Sequence, residues 1–494
     1  MIRTGSRGAE IMEDSRVLLV AVNARFSHAS LGSRFLLAAM EVPLRTQTRL
    51  LEFTINEEPA DLARQIAACQ PEIVGIGVYI WNRRLVERLV PLLREALPTV
   101  KLVLGGPEIT HDVQSPLATS VDCVIRGEGE CLWPEVCRDW LAGRVVAHLP
   151  QPQPPDVAGL VMPDHEYLDA DLRHRNVYVE ASRGCPLACD FCLSSVESGV
   201  RHFREAAVHE SLQRLLDRGC RQFRFVDRSF NLGGARALRL LAFFLERLQP
   251  DMRLHFEMTP DGLSPALRDL LIRFPPGVLH LEAGIQSFDA VVLETIHRRC
   301  NLDAAAEGIR WLVQEALADV HADLIAGLPG ETLVQFKAGF DRLHALGPKE
   351  IQLGILKKLH GTALVHHEAA YRLRFRSEPP YDVQETSTFC ESELHTVRRF
   401  AAHWDRVVNR GHFPASVKLL MQDAPSPWAR FDGFSRQLEQ THGKYGIGLV
   451  ELARSLHDHL TRTCGQPASE VRAALRQDYA TGGRRQHLPV FLRD

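Results

Sequence analysis

Three cysteines fall within eight residues of the run Ser182-Arg183-Gly184-Cys185-Pro186-Leu187-Ala188-Cys189-Asp190-Phe191-Cys192. Thiolates are soft ligands that select iron-sulfur clusters, zinc or copper(I). A cubane held by only three thiolates keeps one iron open for a further ligand, and an open iron is a place to do chemistry. A structural zinc site would instead need four closed positions, with His202 as the fourth ligand at hand. A second half-site with its own paired cysteines is missing downstream. The run directly follows an apolar stretch, 177–181, so the three thiols converge at the end of a strand.

CxxxCxxC with an aromatic, Phe191, just before the last cysteine resembles the signature of radical S-adenosylmethionine (SAM) enzymes. The resemblance implies a [4Fe-4S] cluster on Cys185, Cys189 and Cys192 that binds SAM through its amino and carboxylate groups. It further implies reductive cleavage of SAM to methionine and a 5′-deoxyadenosyl radical, which removes hydrogen from an unactivated carbon. An electron donor such as a flavodoxin or ferredoxin goes with it.

Composition sets the frame for the elements that position this loop. The 494 residues are enough for two to four domains, and 58 Lys plus Arg against 61 Asp plus Glu leave a net charge of −3. Nothing in that balance points to nucleic acid or a membrane surface. Eleven cysteines without a secretory apolar stretch suggest a reducing, cytoplasmic address, and no apolar run is long enough to span a bilayer.

Residues 1–14 read as a disordered leader, and Met12 is a second candidate start. Over 15–145, strand-like runs at 17–22, 49–53, 73–80, 100–104 and 122–125 alternate with helical patterns at 36–40, 61–68, 85–97 and 132–141. Such alternation predicts a doubly wound parallel sheet of flavodoxin-like order, with its ligand outside the carboxyl ends of the strands. Those ends carry Gly105-Gly106-Pro107-Glu108 and Arg126-Gly127-Glu128-Gly129-Glu130. Ile80 takes the third glycine place after Gly75 and Gly77, so a dinucleotide fingerprint fails. Upstream of the cysteine loop, this domain resembles the cobalamin-binding domain of cobalamin-dependent radical SAM enzymes. The resemblance implies cobalamin contacts at Gly105, Gly106, Gly127, Glu128 and Gly129. The DxHxxG loop of that family is absent, with Phe26 in the aspartate place and Gly32 one residue late, which leaves His28 as the candidate cobalt ligand or as a loop residue capping the next helix.

A proline-rich break at 151–155 marks a linker, expected over 146–172. Six further strand-like runs at 176–181, 222–226, 253–258, 278–282, 320–325 and 350–356 are fewer than the eight of a closed barrel and predict a partial (β/α)6 barrel over 173–375. With a period of two, His255 and Glu257, His280 and Glu282, and His321 and Asp323 each share one strand face opposite apolar neighbours. Helices must cover the apolar side, so the polar faces point inward toward partners, water or a polar ligand. At the carboxyl ends of these strands the resemblance implies SAM contacts from Asp227 (amine), Glu257, Glu282 and Gln286 (ribose and carboxylate), Gly327 (adenine) and the backbone of Phe191. From 376 onward helical patterns dominate, as in the tail domain of one subgroup of cobalamin-type radical SAM proteins. The expectation is a cobalamin-dependent radical SAM enzyme, plausibly a carbon methyltransferase acting on a small molecule or peptide. The alternatives are a radical SAM oxidoreductase or cyclase without methyl transfer, and an iron-sulfur redox sensor.

Overall fold

The structure is a computed structural model describing residues 15–146, 153–196, 199–444, 446–481 and 488–493. The leader at 1–14 and the first two residues of the proline-rich break lie outside the described residues.

The first sheet contains β1 (Val17–Asn23), β2 (Thr48–Thr54), β3 (Ile73–Gly77), β4 (Lys101–Gly105) and β5 (Cys123–Val124), all parallel, in the order β2-β1-β3-β4-β5. This is the flavodoxin-like order. β1 reads as an unbroken apolar run because both of its faces are covered. Leu18, Val20 and Val22 pack beneath the helices Pro59–Ala68 and Arg83–Ala96, while Val17 and Leu19 face the helix Leu132–Leu141. β3 stops at Gly77 rather than at Ile80, because the Asn82 amide donates to the carbonyls of Gly77 and Val22 and accepts from the Tyr79 N–H. That side chain turns the backbone out of the sheet.

The second sheet is formed by β6 (Val177–Val179), β9 (Gln222–Phe225), β10 (Arg253–Met258), β11 (Leu279–Gln286), β12 (Asp319–Ala326) and β13 (Glu350–Ile355), parallel and in sequential order. Between β6 and β9 the chain makes an antiparallel hairpin of β7 (Ser182–Cys185) and β8 (Gly199–His202). Burial alternates residue by residue along β11 and β12, and the apolar members, Leu279 to Ile285 and Val320 to Ala326, lie under the helices. The six-stranded sheet is open at both ends. Along its β13 edge, a widened helical turn at Asp405–Asn409 brings the Asn409 side chain to Ile351, accepting from its N–H (3.2 Å) and donating to its C=O (3.0 Å).

The linker expectation is corrected over its second half. Val157, Met162, Tyr167 and Leu172 are buried in the main core, and the Tyr167 hydroxyl donates to the Tyr178 carbonyl of β6. The prolines interrupt regular structure there, but the apolar residues between them are drawn into the barrel's outer layer. A buried charge network joins this segment to the first sheet: Arg34 binds Glu52 and Asp171, and Arg175 binds the same two carboxylates. The arginines hold the Glu52 carboxyl down at about 2 against the upward push of its burial. Beyond β13 the helices Glu391–Trp404, Pro414–Met421, Pro427–His442, Leu449–Arg462 and Ala468–Thr481 form the expected mostly helical domain, packed around Phe400, Trp404, Trp428 and Phe431.

Candidate active site

The cysteine loop is anchored at its start by the hairpin. Gly184 sits at φ +89°, and a Cβ there would meet the Gly199 carbonyl oxygen at 2.2 Å, so only glycine permits the pairing that launches Cys185. All three cysteines are free thiols. Burial pushes the Cys189 thiol up, and the Arg298 guanidinium, with Nη1 3.5 Å from the sulfur, pulls it back. Arg298 also donates to the Gly284 carbonyl. That carbonyl lies at the irregularity where β11 breaks register and Gln286 adopts φ +73°. One side chain thus joins a thiol to the carboxyl end of β11.

Asp227 has a bracing role that the sequence did not suggest. Its carboxylate accepts from the Ala181 N–H (3.0 Å) and the Ser182 hydroxyl (2.5 Å), so it braces the entry to the cysteine loop. Burial raises it to about 6 against those bonds. His202 pairs with Ser182 at the far end of the hairpin, beside Asp227.

Along the inner strand face the expected polar row is present. The registers His255↔His280, Glu257↔Glu282 and Glu282↔His321 align it across three strands. Glu257 accepts two bonds from Arg228, His255 Nε2 lies 3.5 Å from Glu282, and His321 lies 3.1 Å from Asp323. Burial, reinforced by Asp323 and Glu257, raises Glu282 to about 7. Gly327 packs against Val383 of the carboxy-terminal segment, and Phe191 is half-buried against the core.

A cavity of about 440 Å³ lies between the carboxyl ends of the first sheet and the cysteine loop. Gly105, Gly106, Gly127, Glu128 and Gly129 line one wall, and Arg183, Gly184 and Ser194 another. Gly106 stands at φ +99°, and a Cβ on it would meet the Val78 carbonyl oxygen at 2.7 Å. His28 is not among the lining residues. Its Nδ1 lies 3.2 Å from the Tyr178 hydroxyl and its backbone bridges to Asn176, at the amino end of the second sheet. Burial, then Arg224, Arg25 and Arg175, lowers its pKa.

Five site groups escaped the sequence reading. Arg183 binds Glu128 (2.8 Å), Glu130 (2.7 Å) and Glu180 (2.7 Å), tying the Gly127–Glu130 turn directly to the cysteine loop, and Arg201 adds a second link to Glu128. Glu180 is buried there and pushed up to about 7, with Arg183 opposing the shift. Arg298 and Glu331 are the others; Glu331 bonds the Ser287 hydroxyl (2.5 Å) at the carboxyl end of β11.

Residues 17–136 match the family model of the B12 binding domain, 179–343 that of the radical SAM superfamily, and 369–494 that of a protein of unknown function, DUF4080. An uncharacterized methyltransferase of Pyrococcus horikoshii is 27% identical over 206 residues, 36% of this chain and 44% of that protein. TokK of Streptomyces tokunonensis, a cobalamin-dependent radical SAM methyltransferase, is 24% identical over 335 residues, 58% of this chain and 47% of that protein. The chain spans about half the length of the curated relatives it matches. Among solved structures, the cobalamin-dependent SAM radical enzyme OxsB with aqua-cobalamin bound superimposes with a TM-score of 0.64 at 12% identity, over 95% of this chain and 79% of that one. At that identity the likeness is one of fold.

The matched domains bring a [4Fe-4S] cluster, SAM and cobalamin as cofactors. The residues present fit them: three free thiols on one loop, and beside it a cavity walled by glycines, one of which, Gly106, leaves no room for a Cβ. The three matches follow one another along a single chain, which therefore belongs to the radical SAM enzymes with a B12 binding domain, in the subgroup that also carries DUF4080.

Proposed function

We propose that this enzyme is a cobalamin-dependent methyltransferase that places a methyl group on a carbon of its substrate. The observation that carries the reading is the shared cavity: whatever fills the space under Gly106 and Gly127 rests on the loop that bears the three cysteines. The name of the relative TokK supports methyl transfer as the outcome. When bound, the cluster with SAM supplies one-electron reductive cleavage, and cobalamin supplies a methyl group in transferable form.

The chain's own residues hold and orient. Cys185, Cys189 and Cys192 are the cluster ligands, with Arg298 fixing Cys189 against β11. Gly105, Gly106, Gly127, Glu128 and Gly129 form the corrinoid wall, and no imidazole from His28 enters it. Glu257, Glu282 and Gln286 take the ribose and carboxylate of SAM, while Gly327 and the Phe191 backbone border the adenine. Glu282, raised by burial to about 7, can carry a proton and so donate to a carboxylate oxygen that an ionised Glu282 would repel. The Arg183 hub sets the separation between the two cofactor sites, because the Glu128 it grips belongs to one wall and its own backbone to the other. The polar strand face suits a polar end of a small molecule or peptide.

The test is protein isolated without oxygen from cobalamin-supplied cells. About one corrinoid and about four irons per chain are expected. With methyl-labelled SAM and a reductant, label must appear in a carbon-bound methyl of the product. 5′-Deoxyadenosine without transferred label would overturn methyl transfer and leave an oxidoreductase. Cys189→Ala is expected to lose both the iron and SAM cleavage; retained cleavage would sink the ligand assignment.

A further inference from the structure

Asp190 stands between two cluster cysteines in sequence, yet its carboxylate turns away and meets two imidazoles from distant segments. Oδ2 lies 2.8 Å from His297 Nδ1 and 2.6 Å from His367 Nε2. One donor atom from each residue can be chosen so that all three lie within 4.8 Å of one another. The Asp190 side chain is 9% exposed, that of His367 15% and that of His297 68%, so the group is buried at its floor and open to solvent on one side.

Each member is held by its own backbone. The Asp190 N–H donates to the Ile296 carbonyl, one residue before His297. His297 adopts φ +53° just past the helix Ala290–Thr295, where the Arg298 N–H bonds back to Leu293 and turns the imidazole toward Asp190. His367 ends the turn Ala363–His367 and packs its ring on Tyr371. A carboxylate this buried needs compensation. Among the described residues its ion-pair partners are these two histidines. Two imidazole nitrogens and one carboxylate oxygen, with a fourth direction left to water, form the donor set of a three-ligand zinc site.

We propose that Asp190, His297 and His367 bind one zinc ion, distinct from the thiol site and independent of the reaction catalysed. The observed separations are those of shared protons. With zinc at about 2.0–2.1 Å from each ligand, neighbouring ligand atoms stand about 3.3 Å apart, so as the ion replaces the protons the Asp190 contacts lengthen by about 0.5 Å to His297 and about 0.7 Å to His367, and the two imidazole nitrogens, within 4.8 Å of each other, settle at the same spacing. Bound there, zinc would pin three segments together: the cysteine loop, the turn after the helix Ala290–Thr295 and the lead into the carboxy-terminal domain.

The experiment uses the anaerobically reconstituted holoprotein, whose Cys185, Cys189 and Cys192 are occupied by the cluster. It is stripped of loose metal and titrated with zinc sulfate against a chromophoric chelator. About one zinc per chain beyond the iron is expected, with X-ray absorption showing nitrogen and oxygen neighbours at about 2.0–2.1 Å, imidazole scattering and no sulfur. His297→Asn and His367→Asn should each weaken zinc binding at least about tenfold. His297 is exposed, so its variant should keep its iron and corrinoid and serves as the folded control. Absence of zinc uptake at about micromolar free ion, a sulfur shell, or unchanged affinity in either variant overturns the site.

Discussion

Glu331 shows at the level of one side chain how this fold stores protons. It is buried at the turn after β12, hydrogen-bonded to Ser287 through one oxygen, with the other oxygen unpartnered, and burial raises it to about 8. A carboxyl lifted in the folded state holds a proton that the unfolded chain has already shed. Its contribution is therefore complete below the ordinary carboxylate range and is lost as pH rises toward the raised value. Between about pH 5 and about pH 8, wild-type stability should fall relative to that of Glu331→Gln by on the order of 1 kcal/mol per pH unit. Urea midpoints of the two proteins across that range read the difference directly. Parallel curves would mean that Glu331 is ionised in the folded chain.

The hairpin of β7 and β8 carries the corresponding lesson for an element. Gly184→Ala puts a methyl group onto the Gly199 carbonyl at a positive φ, which should cost about 1–3 kcal/mol and misdirect Cys185. The measurable result is reconstituted iron well below the wild-type level in a protein whose circular dichroism is unchanged. This hairpin was not legible in the sequence, because the chain around 182–202 is dominated by ligand and turn residues and lacks strand periodicity. The eleven strands of the two parallel sheets were legible, since each is a short apolar or alternating run between helical patterns, as β1 and β11 illustrate. The glycine turns at 105–106 and 127–129 and the cysteine loop, which the structure brings to one cavity, were each legible because their residue types are local signals. The bracing role of Asp227 and the contacts of Arg183 and Arg298 were missed because they depend on partners 45, 55 and 109 positions away, which no local pattern encodes.

Across the whole molecule, the first sheet and the barrel are joined by buried charges as well as by apolar surface. Arg34→Leu leaves Glu52 and Asp171 sharing only Arg175, which should destabilise the protein by about 3–5 kcal/mol. Thermal unfolding of that variant is expected to split into two calorimetric transitions where the wild type shows one. A single transition, shifted but undivided, would mean that the shared cavity walls and the Arg183 hub suffice to couple the domains. The other boundary of the barrel is guarded differently. β13 has a strand on one side only, and the Asn409 amide occupies its free side by bonding both the N–H and the C=O of Ile351, as a one-residue substitute for a seventh strand. An exposed parallel edge would otherwise be a template for another copy of the same chain. The helical tail thus acts as a solubility device: shortened before Asn409, the barrel would tend to polymerise edge to edge, whatever became of its chemistry.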